Sequence, residues 1–325
     1  MRKFYILAVL SLGLSLVPKT SFTQDAYFSQ FYANPIYLNS ALAGSEGNPR
    51  LTFIHRQQWN AVNAFNSSFF SFDNSLGKNS GWAVHAMKDT QLDGVINNLA
   101  AGTTLSHRIA LNKGAVLGGG ISLAYRQKSF NWGNLVFEDQ LRSGSNNIYP
   151  TAERIGESKT VMYDVGIGMV YASEKLMAGI NVAHINQPVE RFNPESEVVL
   201  PRRYTLHVAY SFQKISRSNN GYHITPSVIY ENQAGLSYLN VGGYWNNELL
   251  TFGSWYRVNQ AVVFTAGISI NQINIGYSYD YTVNQSASTF GSTNEFSVSY
   301  RFQVKKSNKN YKYAGKCPDV FKRLR

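Results

Sequence analysis

The sequence predicts an all-β fold, a transmembrane antiparallel outer-membrane β-barrel of about fourteen strands, on three observations. Charged residues are only 15% of the chain while aromatics reach 14%. From Leu51 onward, apolar and polar side chains alternate with period two. The long and short connections between the alternating segments sort by parity. A soluble domain carries roughly 25% charged residues. Beyond the first twenty residues no apolar run approaches the ~20 needed for a helical span. A spanning barrel needs neither, because its strands turn apolar side chains to lipid and polar ones to the lumen.

Residues 1–23 read as a secretory signal. Arg2-Lys3 is the positive region, Phe4 to Val17 the apolar one, and Ser21-Phe22-Thr23 the cleavage site before Gln24. Residues 24–50 are rich in Phe, Tyr, Asn and Pro and do not alternate. Preceding the first strand from the periplasmic side, they predict a plug or brace of the lumen, in which Phe28, Gln30, Phe31, Asn34, Pro35 and Asn39 pack and satisfy inward carbonyls. An ordered periplasmic cover is the plainer alternative.

Residues 51–303 hold the strands. Tyr204, Leu206, Val208, Tyr210 and Phe212 alternate with Arg203, Thr205, His207, Ala209 and Ser211. Phe296, Val298, Tyr300 and Phe302 do so with Ser297, Ser299 and Arg301. Strands starting near residues 51, 64, 81, 97, 114, 160, 175, 202, 221, 236, 248, 261, 272 and 293 are long enough to cross a bilayer at a tilt. Short turns such as Gly77-Lys78-Asn79 and Asn112-Lys113 follow even-numbered strands. The longest connections, Gln127 to Lys159, Ile185 to Pro201 and Val283 to Ser292, follow odd-numbered ones, which is the periplasmic and extracellular asymmetry of such barrels. A soluble sandwich would instead show a charged exterior.

Of the net charge of +11, +3 lies in the leader and +7 in the last segment from Gln303, leaving about +1 for the body. A folded face tracking phosphates needs that excess on the domain, so nucleic-acid binding is excluded. The basic tail, residues 304–325, carries Lys305, Lys306, Lys309, Lys312, Lys316, Cys317 and Pro318. It predicts a mobile extension or a periplasmic docking element for an acidic partner.

No enzyme chemistry stands out, and no cofactor or metal site is predicted. The histidines His55, His85, His107, His184, His207 and His223 are scattered, with lumen or strand-end positions expected. Gly118-Gly119-Gly120 lacks the ending of a phosphate loop and reads as a strand bend. Inward charges such as Arg126, Asp164, Arg203, Asp280 and Arg301 are expected to pair across the wall. A membrane hydrolase assembled from Ser, His and Asn of adjacent strands stays open as a reading.

The stretch Gln24-Asp25-Ala26-Tyr27-Phe28-Ser29-Gln30-Phe31-Tyr32-Ala33-Asn34-Pro35, continuing through Leu38-Asn39-Ser40-Ala41-Leu42-Ala43-Gly44, resembles the opening of the PorP/SprF family. So do Arg56-Gln57-Gln58-Trp59, Ser299-Tyr300-Arg301-Phe302 and Cys317-Pro318. Ser40 stands where the family often has Pro, and His55 where it often has Tyr. The resemblance covers the mature chain. It implies an outer-membrane component of the type IX secretion system of Bacteroidota that supports export or surface attachment of cargo carrying a C-terminal sorting domain. Adhesins, some used in gliding motility, are among such cargo, and periplasmic, peptidoglycan-linked components are the implied partners. On that reading the outer loop Gln127 to Lys159 is the candidate cargo surface, through Phe130, Trp132, Leu135, Phe137 and Tyr149. A general porin or solute channel is the alternative.

Overall fold

The computed structural model describes residues 25–111, 114–141, 158–193, 196–214, 221–283 and 291–303. The leader, Tyr149 and the basic tail from Val304 lie outside the described residues. The strands are β1 Arg50–Gln58, β2 Phe65–Leu76, β3 Ser80–Gln91, β4 Ile96–Ala110, β5 Val116–Phe130, β6 Lys159–Ala172, β7 Leu176–Ala183, β8 Val189–Asn193, β9 Ser196–Val199, β10 Arg203–Tyr210, β11 Phe212–Lys214, β12 Tyr222–Gln233, β13 Leu236–Asn246, β14 Leu250–Arg257, β15 Ala261–Ile270, β16 Ile273–Thr282 and β17 Thr293–Arg301. Neighbours in sequence pair antiparallel around the wall, β1 closes on β17, and β10 pairs with both β7 and β12. With β10 and β11 as one strand interrupted at Ser211, the wall is a closed ring of 14.

Period-two sequence becomes two-faced wall. In β10, Arg203, Thr205, His207 and Ala209 are buried toward the lumen while Tyr204, Leu206, Val208 and Tyr210 are exposed outside. Tyr163 is 74% exposed on the same outer surface. In water such a surface would be a liability, whereas against hydrocarbon it is the favourable arrangement, and closure leaves no unpaired backbone edge. Among the described residues no helix is long and apolar enough to cross a membrane.

The apolar core therefore lies inside the ring. Phe31, Tyr32, Leu38 and Leu42 cluster with Met177, Ile229, Tyr244, Trp255 and Val263 of the wall. Phe28, Ile36 and Ala43 cluster with Ile54, Phe69, Ala83 and Met87. Each fully buried large side chain contributes about 1.5–3 kcal/mol.

Three expectations need correction. Phe130 is the last residue of β5, not part of the loop, because Ile96 pairs with it and extends the ladder. The connection from Ile185 to Pro201 contains a hairpin, β8–β9. Its strands are only five and four residues long, and the first carries charge on both faces through Glu190 and Arg191, so no alternation reveals them. The histidines divide: His207 and His223 are buried inward, whereas His55 and His107 face outward and hydrogen-bond Ser68 and Ser80.

Candidate functional site: the filled lumen and its outer mouth

Residues 25–49 run through the lumen from the outer strand ends to the inner ones. Asp25 sits at the outer end. Its carboxylate accepts from Arg126 at 2.6 Å and meets His184 at 2.5 Å and Arg203 at 3.5 Å, and its N–H donates to Gln233 at 3.0 Å. His184 contacts Asp164 through its other ring nitrogen at 2.8 Å. Burial pushes the Asp25 carboxyl up, but the charges of Arg126, His184 and Arg203 together outweigh it and hold it well below the usual range. Burial pulls His184 down, and its two carboxylate partners more than reverse that. Burial also pushes the Tyr27, Tyr32 and Tyr37 hydroxyls up, keeping them neutral donors.

Below Asp25, the Tyr27 ring lies 4.3 Å under the Arg257 guanidinium and its hydroxyl accepts from Asn240 at 2.6 Å. Ser29 is enclosed by charge: its N–H donates to Glu295, its hydroxyl donates to Asp280 at 2.6 Å and accepts from Arg56 and Arg257. Gln30 donates to Glu295 through its backbone at 2.9 Å. Phe31 meets Trp255 edge-on at 5.1 Å. Pro35 opens a one-turn helix, α1 Pro35–Leu38, where its missing N–H is no loss. Asn39 then donates to the Met169 and Ile180 carbonyls at 3.0 and 3.1 Å and contacts His207.

The inner end is tied as firmly. The Gly44 N–H donates to Asp73, Arg50 bridges Asp73 and Glu46, and Arg301 also reaches Glu46 at 3.1 Å. Several inward charges thus pair with the luminal segment, not only across the wall: Arg126 and Arg203 with Asp25, Arg301 with Glu46.

The wall is cut to admit this backbone. A Cβ on Gly120 would overlap Ser40 and Ala41, and one on Gly179 would overlap His207 and Asn39. Gly120 therefore marks the close approach of a second chain segment, a more specific role than the bend expected from sequence.

The residues singled out from sequence fall as follows. Phe28, Gln30, Phe31, Asn34, Pro35 and Asn39 are all buried in the lumen, with the Asn34 amide finding no protein hydrogen-bond partner. Of the outer-loop residues, Phe130 stacks on Trp132 at 4.9 Å and meets Phe192 of the hairpin edge-on at 4.6 Å. Leu135 and Phe137 are half-buried. The hairpin is fastened further by Lys128 and Glu190, 2.7 Å apart. Sequence reasoning expected His184 at a lumen or strand-end position without its partners, and missed Glu190 and Phe192; Phe192, a lone aromatic among charges, was the one available signal.

Cavities of about 80 Å³ remain on the inner side of the segment and beside Tyr37, and one of about 290 Å³ opens among the outer strand ends. Among the described residues no group of three His, Cys, Asp or Glu is placed to hold a metal ion.

A closed antiparallel ring with an apolar exterior and an interior filled by both apolar clusters and paired polar groups defines an outer-membrane β-barrel protein. The family model described as "Type IX secretion system membrane protein PorP/SprF" matches residues 20–300, and the chain belongs to that family. It is thereby an outer-membrane component of the type IX secretion system. No curated protein matches the chain. Among solved structures it is similar to Omp33 of Acinetobacter baumannii (8% identity, 80% of this chain and 100% of that one, TM-score 0.44). It is similar too to a deletion mutant of the monoaromatic hydrocarbon channel TodX (10%, 79% and 90%, TM-score 0.44) and to the KdgM porin (9%, 78% and 99%, TM-score 0.39). Likeness this distant carries no weight for function.

Proposed function

We propose that this chain is a non-enzymatic part of the secretion machinery that supports export or surface attachment of specific cargo proteins, such as adhesins, including those used in gliding motility. The observation that carries the reading is the occupied lumen. Residues 25–49 are hydrogen-bonded to the wall at both ends and in the middle, so the ring resembles a scaffold more than a diffusion pore. What a scaffold offers is its rims. The outer rim presents the loop after Phe130 and the β8–β9 hairpin to cargo. The inner rim serves periplasmic components of the system, with a docking role for the basic tail, Lys305, Lys306, Lys309, Lys312, Lys316, Cys317 and Pro318, proposed from its sequence alone.

Two measurements on the intact protein test this. In planar bilayers the purified chain is expected to give no steady conductance. Affinity capture from native membranes is expected to recover a protein bearing a C-terminal sorting domain. Stable conductance steps together with recovery of no such partner would establish the porin reading instead.

A further inference from the structure

Among the described residues nine acidic side chains lie on or against the lumen, and seven of them meet a Lys, Arg or His: Asp25, Glu46, Asp73, Asp164, Glu190, Asp280 and Glu295. The other two do not. Asp89, 2% exposed, is held by neutral donors only, Ser67 at 2.6 Å, Gln91 at 2.7 Å and Asn98 at 3.2 Å. Glu231, 8% exposed, has Thr205 at 3.5 Å and the Tyr27 hydroxyl; among the described residues no Lys, Arg or His comes within 4.0 Å of it, and the charges of Arg203 and Arg257 reach it only from farther off. Both line the same cavity, the one of about 290 Å³ at the outer mouth, and they lie on opposite sides of the ring, on β3 and β12.

A buried carboxylate without a counter-charge is costly, and a ligand that brings one offsets that cost. The arginines of the mouth are already committed. Arg56 and Arg257 hold Asp280 and Ser29, Arg56 also holds Glu295, and Arg203 holds Asp25 and the Tyr37 hydroxyl. An anionic solute finds no uncommitted cation there, whereas a cationic one finds Asp89, held by neutral donors only, and Glu231, which Arg203 and Arg257 face without an ion-pair contact. Tyr27, Trp59, Phe65 and Tyr238 also line the cavity, and aromatic faces favour ammonium and guanidinium groups over anions. The volume suits one or two side chains and is far too small for a folded domain.

We infer that the outer mouth is a receptor for a basic segment of an extended polypeptide, with Asp89 and Glu231 each taking a Lys or Arg side chain. That the polypeptide is secreted cargo rests on the function proposed above; the preference for cations does not.

The test uses the full chain in detergent micelles, titrated with the peptides Ac-Gly-Lys-Gly-Lys-Gly-amide, its Gln counterpart and its Glu counterpart. The lysine peptide is expected to bind at least about tenfold tighter than the Gln peptide, with the Glu peptide weakest. Asp89→Asn and Glu231→Gln are each expected to weaken lysine-peptide binding about fivefold or more. Equal affinity for lysine and Gln peptides overturns the site, as does a lysine affinity untouched by both substitutions. Glu231 lies near Arg203 and Arg257, so heat-modified gel mobility reports whether Glu231→Gln folds; Asp89→Asn, whose partners are neutral, carries the test if it does not. Failure here separates from failure of the secretion role. Loss of cation preference, with export still dependent on the chain, sinks the site alone. Cation preference retained while deletion of the chain leaves export intact sinks the role alone.

Discussion

Arg56 and Glu295 stand directly opposite each other on β1 and β17, the two strands that close the ring, with guanidinium and carboxylate 3.1 Å apart. Glu295 also accepts the backbone N–H of Ser29 at 2.7 Å and of Gln30 at 2.9 Å. One buried ion pair therefore fastens the seam of the wall and the segment inside it together.

Replacing Arg56 by Ala leaves Glu295 buried without its cation, and breaking such a pair costs about 3–5 kcal/mol. Arg56→Lys keeps the charge but not the fork that reaches Ser29, Glu295 and Asp280, so it is expected to recover only part of the loss. The double change Arg56→Met with Glu295→Gln is expected to be milder than Arg56→Ala alone, because no lone charge remains. Urea unfolding in micelles of the single and double variants checks the order.

Gly119 and Gly120 make a matched pair of sites. A Cβ on Gly119 meets nothing within 4 Å, whereas one on Gly120 runs into the backbone of Ser40 and Ala41. Gly120→Ala is therefore expected to cost about 1–3 kcal/mol and to loosen the luminal segment, and Gly119→Ala to be nearly silent. Thermal melting, with proteolysis of the N-terminal segment, distinguishes the two. Equal effects would mean that strand propensity alone decides.

Strand number, parity and which face meets lipid were legible because they depend on period two and on turn length, both local properties. The burial of Phe28, Phe31 and Asn39 was foreshadowed by composition alone. What composition did not reveal was direction: Asp25 lies at the outer end, so the segment descends to meet β1 at the inner rim. Partner choice was hidden for a related reason. Arg126 and Arg203 are separated from Asp25 by more than a hundred residues, and nothing local to any of them names the others. The β8–β9 hairpin escaped because strands of five and four residues, the first with Glu190 and Arg191 on opposite faces, are too short to carry a periodic signal.

Phe192 holds that hairpin against Phe130, the last residue of β5, at the outer end of the strand. Its replacement by Ala removes an edge-to-face pair worth about 1 kcal/mol beyond burial. Because the contact lies at the last pair of the β4–β5 ladder, Phe192→Ala is expected to speed cleavage of the hairpin by externally added protease while the unfolding midpoint of the wall stays put. A lowered midpoint would show that the hairpin contributes to closure of the ring.

The joint of Asp25 and His184 should respond to pH in one direction. The folded value of His184 is raised above its unfolded one, so its contribution is complete below about pH 6.5 and is lost as pH rises through the folded value. Asp25 runs the other way: its value is lowered, so its contribution is present above about pH 4 and is lost only as pH falls through the depressed folded value. Of this pair only the histidine loses its charge as pH rises, so the outer end of the luminal segment is expected to loosen with rising pH. Asp25→Asn removes the largest charge that raises His184, so its titration is expected to move to lower pH and the loosening with it. Histidine-selective NMR of the intact barrel gives the titration, and hydrogen exchange over residues 25–30 gives the loosening. A His184 titration unmoved by Asp25→Asn would mean that Asp164, 2.8 Å from the other ring nitrogen, sustains the raised value by itself.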